Sequence, residues 1–137
     1  MKAVVDTNVI AHYVLGTTEF VKEAGSFWRV AREVVAPASW EIELANAVWM
    51  AVRMKVMTAA EGSRRLDLAS SLGVRSVPVR QLWHGALARA VRSGVPAYDT
   101  VFVELAEREE VPLGTFDKQV LRTFPTTAQR PTVFASG

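Results

Sequence analysis

Lys2-Ala3-Val4-Val5-Asp6-Thr7-Asn8 begins as a short apolar run and ends in an acid, a hydroxyl and an amide. A run of that kind fits a strand buried on both faces, as in a parallel sheet. An acid directly after it would stand at the strand's carboxyl end, where open α/β sheets gather their ligands. Far along the chain the arrangement recurs: Val111-Pro112-Leu113-Gly114-Thr115-Phe116 runs into Asp117. Two acids are thereby expected on one rim of a sheet.

Between these runs the pattern alternates short β-like segments with longer helical ones. Thr7–Leu15 reads as a short helix broken by Gly16, and Thr18–Glu33 as a second, with Phe20, Ala24, Phe27 and Val30 at helical spacing. A strand over Val34–Ala36 ends at Pro37. Ser39 is then an expected N-cap of a helix running to about Lys55. Thr58-Ala59-Ala60-Glu61 has the capping-box pattern and starts a helix to about Leu72. Val74–Val79 reads as a strand, 81–93 as a helix stopped by Gly94, and Pro96–Glu109 as the next helix. Pro112–Phe116 is a strand, Lys118–Thr123 a helical turn, and Thr132–Phe134 a last strand. The expected fold is α/β: a central, mostly parallel twisted sheet between helical layers, in one domain over residues 1–137.

Composition narrows the chemistry. Half of the 137 residues are apolar, enough for a core without staples. The absence of cysteine removes disulfides, thiolate zinc sites and cysteine nucleophiles. Sixteen basic against fourteen acidic residues leave a net charge of only +2, with the arginines and lysines scattered, so charge alone does not argue for nucleic acid. No segment approaches the ~20 apolar residues of a membrane span, and no secretory signal is visible. The expectation is a soluble, cytoplasmic protein.

Four acids sit where packing does not ask for one: Asp6, Glu43, Asp99 and Asp117. Each has an ordinary alternative. Asp6 is a good N-cap for the helix beginning at Thr7. Glu43 shares a helix face with Asn46 and Arg53, which reads either as a polar cavity wall or as a solvated stripe. Asp99 falls on the stripe of Phe102, Val103 and Ala106, where an acid is costly unless paired, bound to metal, or capping its own helix. Glu104 and Glu107 read as surface acids on the outer side. Thr115 and Asp117, two apart, would face the same way on a strand, although Asp117 also suits a cap of the turn at Lys118. Carboxylates within ~4 Å of each other repel by about 4 kcal/mol per pair at an effective dielectric of 20. Oxygen clusters of this kind are what hard cations such as Mg²⁺ and Mn²⁺ bind.

The ordered set Asp6-Thr7-Asn8, Glu43-x-x-Asn46, Tyr98-Asp99-Thr100 and Thr115-x-Asp117 resembles the PIN domain, and most of all its single-domain VapC-type toxins. The resemblance implies a PIN-like α/β/α sandwich in which Asp6, Glu43, Asp99 and Asp117 bind one or two Mg²⁺ or Mn²⁺ ions, supported by Asn8, Asn46 and Thr115. It implies an endoribonuclease, a homodimer, and a cognate antitoxin that lays a peptide or helix along a groove. His12 and His84 have no evident partner and read as packing or surface residues.

Three other readings stay open. One is a nuclease of this family acting in RNA processing or decay without an antitoxin. Another is a small metal-dependent phosphohydrolase on a doubly wound sheet, although Asn8 stands where its second Asp would be. The last is a non-catalytic module that keeps the fold. Of Trp28, Trp40, Trp49 and Trp83, most are expected in the core, with one or two free to anchor an interface.

Overall fold

The structure, a computed structural model, describes residues 1–136. Strands β1 (Lys2–Val5), β2 (Glu33–Pro37), β3 (Arg75–Val77), β4 (Leu113–Gly114) and β5 (Ala128–Gln129) form one sheet in the order β3-β2-β1-β4-β5. Every pairing is parallel, with Val4 opposite both Val35 and Leu113, so the mostly parallel sheet expected from sequence is wholly parallel among these strands.

The chain winds outward from β1 to β3, then returns to lay β4 on the other side of β1. Parallel crossovers are right-handed, so reversing direction carries the connecting helices to the opposite face. The first set is α1 (Thr7–Leu15), α2 (Val21–Val30), α3 (Trp40–Arg53) and α4 (Ala59–Ser70). The second is α5 (Trp83–Ser93) and α6 (Ala97–Glu109), followed by α7 (Lys118–Thr123). Helix α6 is the central one, packed on β1, β2 and β4 and against α5. Its residues Thr100 to Ala106 are all buried. The core runs through Val4, Val5, Ile10, Phe27, Val35, Leu44, Phe102 and Leu113.

The strand order puts a topological switch between β1 and β4. There the chain leaves the two adjacent strands in opposite directions, opening a crevice at their carboxyl ends.

Local chemistry accounts for most boundaries. Gly16 and Gly94 close α1 and α5 in the left-handed conformation that glycine adopts without a Cβ penalty. Thr58 caps α4 by accepting from the Glu61 amide, while the Glu61 carboxylate turns to Arg64 and Arg65 instead of completing the box.

Several expectations are corrected. Residues Thr132–Phe134 are not a strand. They lie in α8 (Pro131–Ser136), begun by a proline whose fixed φ suits a first helical turn, and the last strand is the preceding Ala128–Gln129. Ser39 makes no side-chain cap; its own backbone is already helical. Helix α2 begins at Val21, because Thr17–Phe20 form a turn whose Thr17 carbonyl accepts from Phe20 and Val21.

Glu104 is buried, not a surface acid, and is held between Arg89 (3.0 Å) and Arg108 (2.5 Å). Trp40 is buried and Trp28 partly so, while Trp49 and Trp83 are about half exposed. Among the described residues no helix is long and apolar enough to cross a membrane.

Candidate active site

Each of the four acids occupies the first turn of a helix, or the residue that caps it. Asp6 follows β1 and caps α1, Glu43 lies in the first turn of α3, Asp99 in that of α6, and Asp117 follows β4 and caps α7. Helix N-termini favour negative charge through their unpaired amides and aligned peptide dipoles. The cap readings and the site readings are therefore compatible. Asp6 Oδ1 accepts from the Thr7 amide at 2.8 Å, and Asp117 Oδ1 accepts from the Val120 amide at 2.9 Å.

Thr115 is the hub on the switch side. It is fully buried; its hydroxyl donates to Asp6 Oδ2 at 2.8 Å and accepts from the Asp117 amide at 3.0 Å. The Asn8 amide group reaches both Asp6 Oδ2 (3.4 Å) and Thr115 Oγ1 (3.3 Å), while Asn8 Oδ1 accepts from the Phe116 amide at 3.1 Å. Asn8 thus ties the β1–α1 junction to the segment after β4. On the other side the Thr7 hydroxyl donates to Glu43 Oε1 at 2.7 Å, linking α1 to α3. Thr7 had no role in the sequence reading. A hydroxyl placed directly after a strand-end acid was the available signal.

The electrostatics join the remaining acid. Asp6 is buried, and its carboxyl is pushed up to about 7 by loss of solvent, with further repulsion from Asp99 and Glu43. Hydrogen bonds from Thr115 and the Thr7 amide pull the other way. Glu43 is raised by burial and by Asp99, against the Thr7 hydrogen bond. Asp99 is raised by burial and by the negative charge of Asp117. Asp6, Glu43 and Asp99 are thus raised within one field to which Asp117 contributes, and removing protons from them accumulates charge that a cation can neutralise.

Asn46 behaves differently: it is exposed and, among the described residues, makes no side-chain hydrogen bond to the acids. Arg53 also stays out of the cluster, its guanidinium lying over the Trp49 ring at 5.4 Å. Glu41, the nearby rival to Glu43, accepts from Ser76 Oγ at 2.7 Å. His12 packs against Phe20 and Phe116, with ring centroids 4.5 and 5.3 Å away, and burial lowers its pKa. His84 is exposed beside Trp83.

The PIN domain family model matches residues 3–124, a span that contains all four acids, and the chain belongs to that family. It is 30% identical over 129 residues to Ribonuclease VapC3 of Pyrobaculum aerophilum, covering 91% of this chain and 96% of that protein. Among solved structures it resembles PAE2754 of Pyrobaculum aerophilum, with a TM-score of 0.77 at 19% identity over 99% of this chain and 88% of that one. A toxin–antitoxin complex from Klebsiella pneumoniae matches with a TM-score of 0.70 at 14% identity, over 94% of this chain and 97% of that one. At those identities the two structures speak for the fold.

Proposed function

We propose that the chain is a divalent-metal-dependent endoribonuclease, the cytoplasmic toxin of a VapBC-type pair, with Asp6, Glu43, Asp99 and Asp117 as its metal-binding acids. The observation that carries this is Asp6, buried at the end of β1 beside β4 and pushed up to about 7, with Glu43 and Asp99 raised alongside it and Asp117 acting on Asp99. Family membership and the name of the 30% identical relative support it.

The donor set fits Mg²⁺ or Mn²⁺, since Asp6, Glu43, Asp99 and Asp117, with the Thr7, Asn8 and Thr115 side chains that bond to them, all offer oxygen. Among the described residues no three acids, histidines or cysteines already stand as one ligand group. An ion here would therefore complete its shell with water, as Mg²⁺ commonly does. When bound, it would supply a water of lowered pKa as nucleophile and neutralise charge on the scissile phosphate. The protein's part is positioning. Thr115 and the Thr7 amide orient Asp6, the Thr7 hydroxyl orients Glu43, and Asn8 holds the two sides of the crevice in register. Asn46, exposed and without a hydrogen bond to the acids among the described residues, is left to contact the RNA.

The partner reading draws on a different surface. Ile42, Trp49, Met50 and Met54 along α3, with Val56 just beyond, leave an apolar outer face that fits an antitoxin segment. A homodimer completes the proposal, checked by sedimentation of the free protein.

Purified protein incubated with a mixed RNA pool in Mg²⁺, Mn²⁺ or EDTA tests the activity. Cleavage should require metal, and Asp6→Asn or Asp99→Asn should each lower it by more than the roughly 10–100-fold typical of losing an outer partner. Metal-independent cleavage, or full activity in both variants, sinks the assignment.

A further inference from the structure

We propose that a cavity beside the acids is a nucleobase subsite, taking one unstacked base of single-stranded RNA next to the phosphate held at the metal site. The choice of ligand rests on the ribonuclease reading. The cavity encloses about 350 Å³, within the roughly 300–1,000 Å³ of small-ligand pockets. Val79, Ala86 and Val101 line it with apolar surface, and Trp83 and Tyr98 flank it, 49% and 78% exposed. Two large aromatics left that open beside an apolar hollow are a stacking platform of the kind single-stranded nucleic acids use.

Three observations favour a base over an apolar protein side chain. Two lining residues adjoin acids along the chain: Tyr98 directly precedes Asp99, and Ser39 lies one helical turn before Glu43. The Ser39 hydroxyl is buried and has no hydrogen-bond partner among the described residues. An apolar occupant would leave that hydroxyl unpaired, whereas the edge of a base can pair with it. The guanidinium of exposed Arg80 lies 5.5 Å over the Trp83 ring, putting a cation beside the stacking surface for the adjoining phosphate.

The test is fluorescence anisotropy of a labelled short single-stranded RNA with the full chain carrying Asp6→Asn, in Mg²⁺, so that binding is read without cleavage. Trp83→Ala and Tyr98→Ala should each weaken binding by roughly 5- to 100-fold, the effect of removing a stacking aromatic. Ser39→Ala should cost less and should change which base is preferred. Replacing the RNA's bases one at a time by abasic sugars should reveal one position whose loss matters in the parent and no longer matters in Trp83→Ala. Circular dichroism excludes misfolding, which is not expected at such exposed side chains. Unchanged affinity in both aromatic variants overturns the proposal. So does a change in sedimented mass without a change in RNA affinity, which would give this face to a second copy of the chain. Base-dependent binding without any cleavage by the wild type would instead sink the ribonuclease reading and leave the subsite standing.

Discussion

Thr115 has no charge, yet four groups of the site depend on its hydroxyl or approach it: the Asp6 carboxylate, the Asp117 amide, the Asn8 amide and, through Asn8, the Phe116 amide. Thr115→Val keeps the shape and removes its three direct bonds, to the Asp6 carboxylate, the Asp117 amide and the Asn8 amide. Cleavage should fall roughly 10–100-fold, as for loss of a partner that orients a metal ligand, while Thr115→Ser should restore most of it. Equal activity of the valine variant would refute the hub.

Asp6 makes a second prediction. Its folded-state pKa, about 7, is raised above the ordinary 3.8, so the folded protein holds a proton that the unfolded chain gives up between those values. Stability therefore falls as pH rises through that window and levels off above about 7. Asparagine escapes this loss and can still cap α1. In EDTA, Asp6→Asn should match wild type near pH 4 and exceed it at pH 8 by up to about 4 kcal/mol, at 1.36 kcal/mol per pKa unit. Urea denaturation at the two pH values reads it, and excess Mg²⁺ should narrow the gap by stabilising only the protein that binds it.

Among the elements, α6 has the most exacting position, since it carries Asp99 and packs on three strands. Its register against α5 is set by Glu104, clamped by Arg89 and Arg108 and roofed by Gly85. A methyl group on Gly85 would overlap the Glu104 carboxyl, which the two arginines prevent from moving aside. Gly85→Ala should cost about 1–3 kcal/mol despite alanine's better helix propensity, because the helices must separate. Thermal melting decides the sign, and a stabilised variant would show that the clamp yields. Glu104 itself was misread from sequence. Helical spacing places it near the outer side of α6, but α5 packs against that side, and sequence periodicity does not reveal which neighbour covers a helix face.

For the molecule as a whole, the C-terminal segment is fastened by charge as well as packing. Arg130 makes a two-point contact with Glu23 (2.9 and 2.6 Å) on α2, and α8 packs along the same helix. The Arg130 hydrogen bond holds Glu23 below its usual range. A depressed carboxyl stabilises the fold above its unfolded pKa, near 4.5, and loses that contribution as pH falls through the lower folded value. Arg130→Gln should therefore melt earlier than wild type at pH 7, by an amount worth about 1 kcal/mol or less given its partial exposure, with the difference vanishing near pH 3.

The sequence by itself determined the class of fold and singled out the four acids as candidates, because both readings depend on local pattern. Apolar runs with acids at their ends, helical spacing between them and glycine at the left-handed caps are set by neighbours a few residues away. Tertiary structure decided that β4 lies beside β1, which brings Thr115 to Asp6 from 109 positions along the chain. It also decided that Thr7 reaches Glu43, that Asn46 faces solvent, and that Trp83 and Tyr98 stand beside an apolar cavity. These are consequences of which surfaces meet when the sheet closes and helices cover its faces. Which distant surfaces come to cover one another is a property of that assembly, and it carries no signature in the spacing of residues along the chain.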